Sequence, residues 1–455
     1  MRKFIAMTLA ILMLVGMLTA CGSAPADTRE SGTSSEGGKD VSAGETTITM
    51  WTFLDLSSSN GRAQVLGKLI DNFEASHPGV KVKVETQEWS TLASKIFAAA
   101  ESGECPDIFM VNTANLGEAI NRGICEPLEN LFYNNWSDEM KADIDSTIFQ
   151  QGYDGTYHYE IPFFYGVFGV MYRKDLFQEK NIDADSIKTW EDLAEAGQLL
   201  TGTNENGQKV WGYGIGYSLD VTDPHGVLPA VLFGQDGGMF TDDGMPNNWT
   251  GESAQWALQF ELDMINKYGI TPESAASITS EDVYTDFAAG NYAMIAAGSI
   301  RMPTIQSTCS FNPDDLGFLA LPGIDENTMG LSYAAGWNTA VWSGSKNKEI
   351  AGQFLEYLCS AEADELWVKE AQQIPLLKST LENCSDFFAE PTNEWVVQAK
   401  RILDNGTYVQ SIKYNVTGFN EDLQNAFQQA FVEGMSVEDA LAEAEANFIN
   451  RNSNR

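Results

Sequence analysis

From residue 45 onward the apolar positions of the chain switch repeatedly between a spacing near two and a spacing near 3.6. Ile48 to Phe53 has the composition of a strand. Beyond the polar cluster Ser57 to Asn60, the residues Val65, Leu66, Leu69, Ile70 and Phe73 recur at helical intervals and stop at His77, Pro78 and Gly79, which predicts a helix with a marked end. Val80, Val82 and Val84 alternate with Lys81, Lys83 and Glu85, the pattern of a half-exposed strand. Leu92, Ile96, Phe97 and Ala100 predict a second helix, and Pro106 and Asp107 lead into Ile108 to Val111, apolar throughout and therefore a buried strand. Strand, helix, strand, helix, strand predicts an α/β protein that opens on a mainly parallel sheet flanked by helices.

The run Ile161 to Tyr172 is apolar apart from its glycines, yet too short to cross a bilayer, so it predicts another buried strand. Thr189 to Asp192 and Ser436 to Asp439 have the form of capping boxes that open helices. Lys346 to Leu358 gathers Ile350, Ala351, Phe354, Leu355 and Leu358 on one helical face. No repeat of about twenty to fifty residues runs through the chain, which argues against a solenoid.

The N-terminus follows a different pattern. Arg2 and Lys3 precede an apolar run from Phe4 to Met17, and Leu18, Thr19, Ala20 and Cys21 close it. A charged head, a short apolar middle and small residues before a cysteine predict a lipoprotein signal peptide over 1–20, with Cys21 the lipidated first residue of the mature chain. The segment 22–44 is rich in Ser, Gly, Thr, Asp and Glu and holds almost nothing apolar, so with Cys21 it reads as a flexible linker. The expectation is an exported protein, lipid-anchored to the outer face of the cell membrane.

Composition narrows the partners. With 27 basic against 64 acidic residues the formal net charge is −37, so the phosphates of nucleic acid would be repelled and anionic ligands are disfavoured in general. Cys21 aside, Cys105, Cys125, Cys309, Cys359 and Cys384 form an odd set without CxxC spacing, which argues against a disulfide framework and a zinc cluster; a Cys105–Cys125 bridge stays open. His77, His158 and His225 are far apart in sequence, and neither a metal nor a cofactor is expected.

In order along the chain stand Met50, Trp51 and Thr52; His77, Pro78 and Gly79 within Phe73 to Val84; Ala98 to Gly103 before Pro106, Asp107 and Ile108; and Pro127 within Gly123 to Leu128. Then follow Tyr157 to Pro162 running on to Met171 to Phe177, Thr189 to Leu193, Phe287 to Gly298, Leu321 to Gly323, Ala335 to Trp337, and Ile374 with Pro375. Taken in this order the chain resembles the family 1 extracellular solute-binding proteins of bacterial ABC sugar importers. The resemblance implies a two-lobed periplasmic-binding-protein-like α/β fold with a ligand cleft at the hinge. Lobe 1 would take 45–164 and 336–380, and lobe 2 would take 166–333 and 381–455. It also implies a monomer that binds a carbohydrate, hands it to the permease subunits of an ABC transporter and performs no catalysis.

A pyranose presents a C–H face that aromatic rings can cover and a rim of hydroxyls for amides, carboxylates and guanidinium groups. Trp51 ends the first strand, where open α/β sheets bind ligands, or else belongs to the core; Asp55 lies in the loop beyond it. Trp337 beside Gly336 in the hinge is the better ring, and one of Phe163, Phe164 and Tyr165 faces the ligand, Tyr165 being the costliest to bury without a partner. Asn112 is a hydroxyl partner or a helix cap, and Trp89 a rim ring or a packing residue. In lobe 2 the resemblance puts a carboxylate and a ring at Asp223 and His225, an imidazole in place of the usual aromatic. After Gly298 the family's tryptophan is replaced by Ile300, followed by Arg301, which either bonds the ligand or pairs with surface acids. The competing readings are a binder of a peptide, polyamine or metabolite, a surface-anchored glycoside hydrolase, and a sensor subunit. No Gly-x-Ser-x-Gly, P-loop or HExxH motif favours an enzyme.

Overall fold

The computed structural model describes residues 45–452 apart from 145, 206, 220–225, 328–329, 406 and 409–417. The opening pattern folds in the expected order as β1 (Thr46–Thr52), α1 (Gly61–Ser76), β2 (Val80–Thr86), α2 (Leu92–Ser102), β3 (Ile108–Asn112) and α3 (Thr113–Asn121). Asn60 starts α1 by accepting from the backbone N–H groups of Arg62 and Ala63, and Val65, Leu66, Leu69, Ile70 and Phe73 are its buried face. Gly103 ends α2 in the left-handed region at φ 74°, where a side chain would be strained. The apolar crossover becomes β4 (Ile161–Arg173), followed by β5 (Gly202–Thr203), β6 (Lys209–Gly214), β7 (Tyr292–Gly298), β8 (Leu316–Leu319), β9 (Ser332–Val341) and β10 (Thr407–Tyr408). Thr189 and Asp192 form the full capping box at the start of the helix Trp190–Leu200.

The described strands join in one mixed sheet ordered β2-β1-β3-β9-β4-β7-β6-β5, with β10 beside β9 and β8 beside β4. β1 lies parallel to β2 and β3, and β6 parallel to β7. β9 runs antiparallel to β3 and β4, and β4 antiparallel to β7 and β8. The parallel character expected from the opening pattern thus belongs to each lobe's own strands. Apart from the short β5–β6 pair, the antiparallel pairs come from β4 and β9, which pass from one lobe into the other.

β4 carries the transition within a single strand. Ile161 to Val167 pair with β9, and Phe168 to Arg173 pair with β7 and β8. Where the partner changes, the Val167 N–H donates to Ser299 Oγ at 3.1 Å and the Phe168 N–H to Ser332 Oγ at 2.6 Å, so the backbone donors that leave the ladder stay satisfied. A Cβ on Gly166 would sit 2.4 Å from the Ile300 side chain, and one on Gly336 would sit 2.4 Å from the Phe164 carbonyl oxygen; the crossing strands approach too closely for any side chain there.

Two hydrophobic clusters fill the interior, and the first runs past this transition to take in Met171, Ile295 and Phe318. Ile48, Leu66, Phe73, Phe109, Phe354 and Val167 belong to the first, and Phe168, Trp190, Tyr213, Phe233, Trp249 and Phe448 to the second. Within the segment 381–455, expected in lobe 2, the helices Phe419–Phe431 and Val437–Asn452 pack in the second cluster. The helix Glu394–Asn405 lies against β4 and β8 and carries Trp395, Val396 and Leu403 into the first cluster, which also holds Phe318 of β8. All the described cysteines, Cys105 and Cys125 included, are free thiols. Among the described residues, no group of His, Cys, Asp and Glu is arranged to hold a metal ion, and no helix is long and apolar enough to cross a membrane.

The second cluster encloses a carboxyl group. Glu261, on the helix Glu252–Asn266, is 2% exposed and accepts from the Leu228 N–H at 3.0 Å, at the first turn of the helix Val227–Gly234. Burial pushes its pKa up to about 8, against the lowering pull of the Leu228 and Val227 N–H groups. The unfolded chain would titrate this acid near 4.3. The folded state therefore holds the proton more tightly, and Glu261's contribution to stability is complete below the unfolded value and lost as pH rises through the folded one. Glu261→Gln keeps an acceptor for the same N–H groups and has no proton to lose. It is expected to flatten the pH profile of the melting temperature between about 4.5 and 8 and to gain roughly 1–3 kcal/mol over the parent at the upper end. An identical decline in both proteins would contradict this assignment.

Candidate functional site

The strand ends of the first lobe meet the second lobe around β9. The register sets Asn112 opposite Trp337 on one side, and Phe164 opposite Trp337 on the other. Directly paired residues project from the same face of a sheet, so these three side chains form a row. Phe53, just past β1, closes on the row, with its ring 4.5 Å from that of Trp337 and 5.6 Å from that of Phe164. Thr113 fixes the backbone beside it: its hydroxyl donates to the Gly336 carbonyl at 3.2 Å and accepts from the Gly336 N–H at 3.1 Å. Trp337 stays half-buried, which leaves ring surface available to a ligand.

Arg62, the second residue of α1, spans the lobes. Its guanidinium lies 4.9 Å from the centre of the Phe164 ring, and Nη2 donates to the carbonyl of Ile300 at 3.1 Å, in the short turn Ser299–Arg301 at the end of β7. Burial, and then the neighbouring charge of Arg301, push the Arg62 pKa down to about 10. It remains a cation at neutral pH, in surroundings that disfavour the charge.

The other residues expected at a ligand fall into different settings. Asn112 caps α3, its side-chain oxygen accepting from the Asn115 N–H at 3.0 Å and from Asn115 Nδ2 at 2.6 Å; the amide N–H groups of Asn112 have no protein acceptor among the described residues. Trp51 pairs with Phe109, one register step from the Met50 and Ile108 pair, so it projects from the opposite face to Asn112 and Trp337. Its indole N–H donates to Glu85 at 2.9 Å. Asp55 is exposed and closes a turn, accepting from the Ser57 N–H and hydroxyl; the hydroxyl bond and then the N–H bond hold its pKa below the usual carboxylate value. Trp89, 57% exposed, stands between β2 and α2.

Tyr165 is buried, and its hydroxyl donates to the Pro375 carbonyl at 2.8 Å, which resolves the cost of burying a phenol. Of its neighbours, Phe163 packs on Trp367 at 4.9 Å, while Phe164 joins the row. Arg301 pairs with Glu281 and lies 5.2 Å from the centre of the Tyr284 ring. Cys21, Asp223 and His225 lie outside the described residues.

Sequence reasoning missed Phe53 and Arg62. Phe53 had a signal, since it stands two positions from Trp51 in a strand-like run, whereas Arg62 had none beyond its place just after a helix cap. Together the half-buried rings of Trp337 and Phe53 offer apolar surface, backed by the buried Phe164 and bordered by amide and guanidinium donors. That arrangement suits a ligand with an apolar face and a polar rim.

A family model described as bacterial extracellular solute-binding protein matches residues 58–365. Curated relatives from Brucella abortus and Brucella suis are 26% identical over 289 residues, or 63% of this chain, and the match spans 66% of their own length. The arabinooligosaccharide-binding protein of Bacillus subtilis (strain 168) is 26% identical over 366 residues, covering 78% of this chain and 77% of that protein. Among solved structures, the sugar-binding protein MalE from Xanthomonas citri superposes with a TM-score of 0.73 at 18% identity, covering 90% of this chain and 98% of that one. At such identity the likeness speaks for the two-lobed fold alone.

Proposed function

Matched over more than half its length, the chain belongs to the bacterial extracellular solute-binding proteins, and we propose that it captures a carbohydrate between its lobes and delivers it, unaltered, to the permease subunits of an ABC importer. The observation that carries this reading is the row of Asn112, Trp337 and Phe164 closed by Phe53, an aromatic wall with hydrogen-bonding groups at its border. A pyranose laid on Trp337 buries its C–H face, and its hydroxyls reach the free N–H groups of Asn112. A polar group at the rim left without its hydroxyl costs free energy, and this is the source of selectivity. The arabinooligosaccharide-binding relative supports the same ligand class.

Binding acts through β4 and β9. A ligand that touches both lobes favours the arrangement in which they lie closest, and the crossing strands let the lobes rotate about them. The closed form is the signal a permease can read. Asp223 and His225 would complete the second-lobe side of the cleft, as the family resemblance implies, and Asp55, Trp89 and Arg301 would stand at its rim. Cys21 would carry the lipid, with 22–44 as the tether that leaves a monomeric body free to meet the permease.

Trp337→Ala is expected to weaken carbohydrate binding by more than tenfold, about 1.4 kcal/mol or more, while the unliganded protein keeps its melting temperature to within a few degrees. Calorimetry against the carbohydrate that most raises the melting temperature in a screen would check this, and parent-like affinity would remove Trp337 from the site. Cys21→Ala is expected to move the protein from the membrane fraction to the soluble exported fraction. Retention with membranes would refute the lipid anchor.

A further inference from the structure

Acids outnumber bases by more than two to one in this chain, yet two guanidinium groups stand together where the lobes face each other. Most of the arginines placed in the structure have an acid at hand. Arg122 pairs with Glu101 and Glu118, Arg173 with Asp175, Arg301 with Glu281 and Arg451 with Asp422. Arg62 differs. Its side chain makes one hydrogen bond, to the neutral carbonyl of Ile300, and rests on the Phe164 ring; no Asp or Glu among the described residues pairs with it. A guanidinium carries five N–H donors in a planar fork. Most of that capacity is unspent, at a place where burial and the adjacent Arg301 already penalise the positive charge. A partly buried cation without a paired counter-charge is unfavourable in the unliganded protein, and a ligand that brings an anion removes the penalty.

We propose that the cleft takes a carbohydrate bearing a carboxylate, a sugar of the uronic-acid class, and that Arg62 is the residue that selects it. This inference rests on the carbohydrate reading above and narrows it. The chemistry fits the wall on which the sugar would lie. A uronate projects its carboxylate from the edge of the pyranose, so a ring seated on Trp337 and Phe53 sends that group toward the border, where Arg62 leans over Phe164. The planar fork matches a carboxylate through two parallel N–H bonds. The overall charge of −37 does not forbid this, because charges on the outer surface are screened over about 8 Å at physiological ionic strength, while Arg62 would act at contact distance. A carboxylate is also a lighter load than a phosphate ester, which brings more negative charge into the same acidic protein.

The test is calorimetric titration of the full mature chain with matched sets of gluco-, galacto- and manno-configured mono- and disaccharides. Each sugar is supplied as the neutral compound, the uronic acid, the uronate methyl ester and the 6-phosphate. For the configuration that binds, the acid should bind at least tenfold more tightly than its ester, and added salt should weaken the acid alone. Arg62→Gln should bring the acid-to-ester ratio to about one, and Arg62→Lys should keep part of it. The ratio in the parent protein needs no variant, so a substitution that failed to fold would not rescue the idea. Equal affinity for acid, ester and neutral sugar overturns it, as does an equal loss of acid and ester binding in Arg62→Gln, which would make Arg62 a purely mechanical link between lobes. Preference for the 6-phosphate overturns the carboxylate assignment. Binding of neutral sugars alone overturns this inference and leaves the carbohydrate reading in place, whereas no binding by any member, with arabinooligosaccharides added to the panel, overturns both.

Discussion

The hydrogen-bonded pair of β4 and β9 is the constraint on which the rest of the molecule depends. Each strand belongs to both lobes, and the two are paired to each other from Ile161 and Thr339 to Val167 and Ala334. A chain that crosses in extended strands keeps its backbone groups satisfied throughout. Where the ladder changes partner, Ser299 and Ser332 take over the two N–H groups that would otherwise be buried without acceptors. The crossing must also be thin. Gly166 and Gly336 bring backbone and side chains closer than any Cβ would allow, and this closeness sets Trp337 and Phe164 side by side. The aromatic wall is a consequence of how the lobes are joined.

Much of this was legible in the sequence because the relevant signals are local. Alternating Val80, Val82 and Val84, the helical spacing of Val65 to Phe73 and the capping box at Thr189 each encode an element within a few residues, and each folds accordingly. The continuous apolar run from Ile161 announced a strand buried on both faces, and that strand is β4. Its partners could not be read. Register between β4 and β9 links residues about 170 positions apart, so whether Phe163, Phe164 or Tyr165 faced the cleft was a question of pairing rather than composition. Tyr165 found the Pro375 carbonyl, a contact across 210 positions. The helix Glu394–Asn405 likewise packs by surface fit against β4 and β8, which no periodicity announces.

The site was less legible than the fold for a related reason. Trp51 and Trp337 look alike as strand tryptophans beside small or polar residues, yet the register sends them to opposite faces, and Glu85 occupies the Trp51 indole. Asn112 was read as a cap or a hydroxyl partner, and its two functional groups make both compatible: the carbonyl oxygen caps α3 while the amide nitrogen stays available. Net charge speaks on a coarser scale than the site. A chain total describes the outer field, and says little about one guanidinium between two lobes whose pKa is lowered by burial and by the charge of Arg301.

The central claim is that two lobes joined by β4 and β9 close on a carbohydrate. Small-angle scattering on the mature chain, with and without a saturating carbohydrate found by thermal-shift screening, tests it most directly. The account predicts a smaller radius of gyration in the liganded sample. Curves that superimpose while calorimetry shows the site to be full would contradict it.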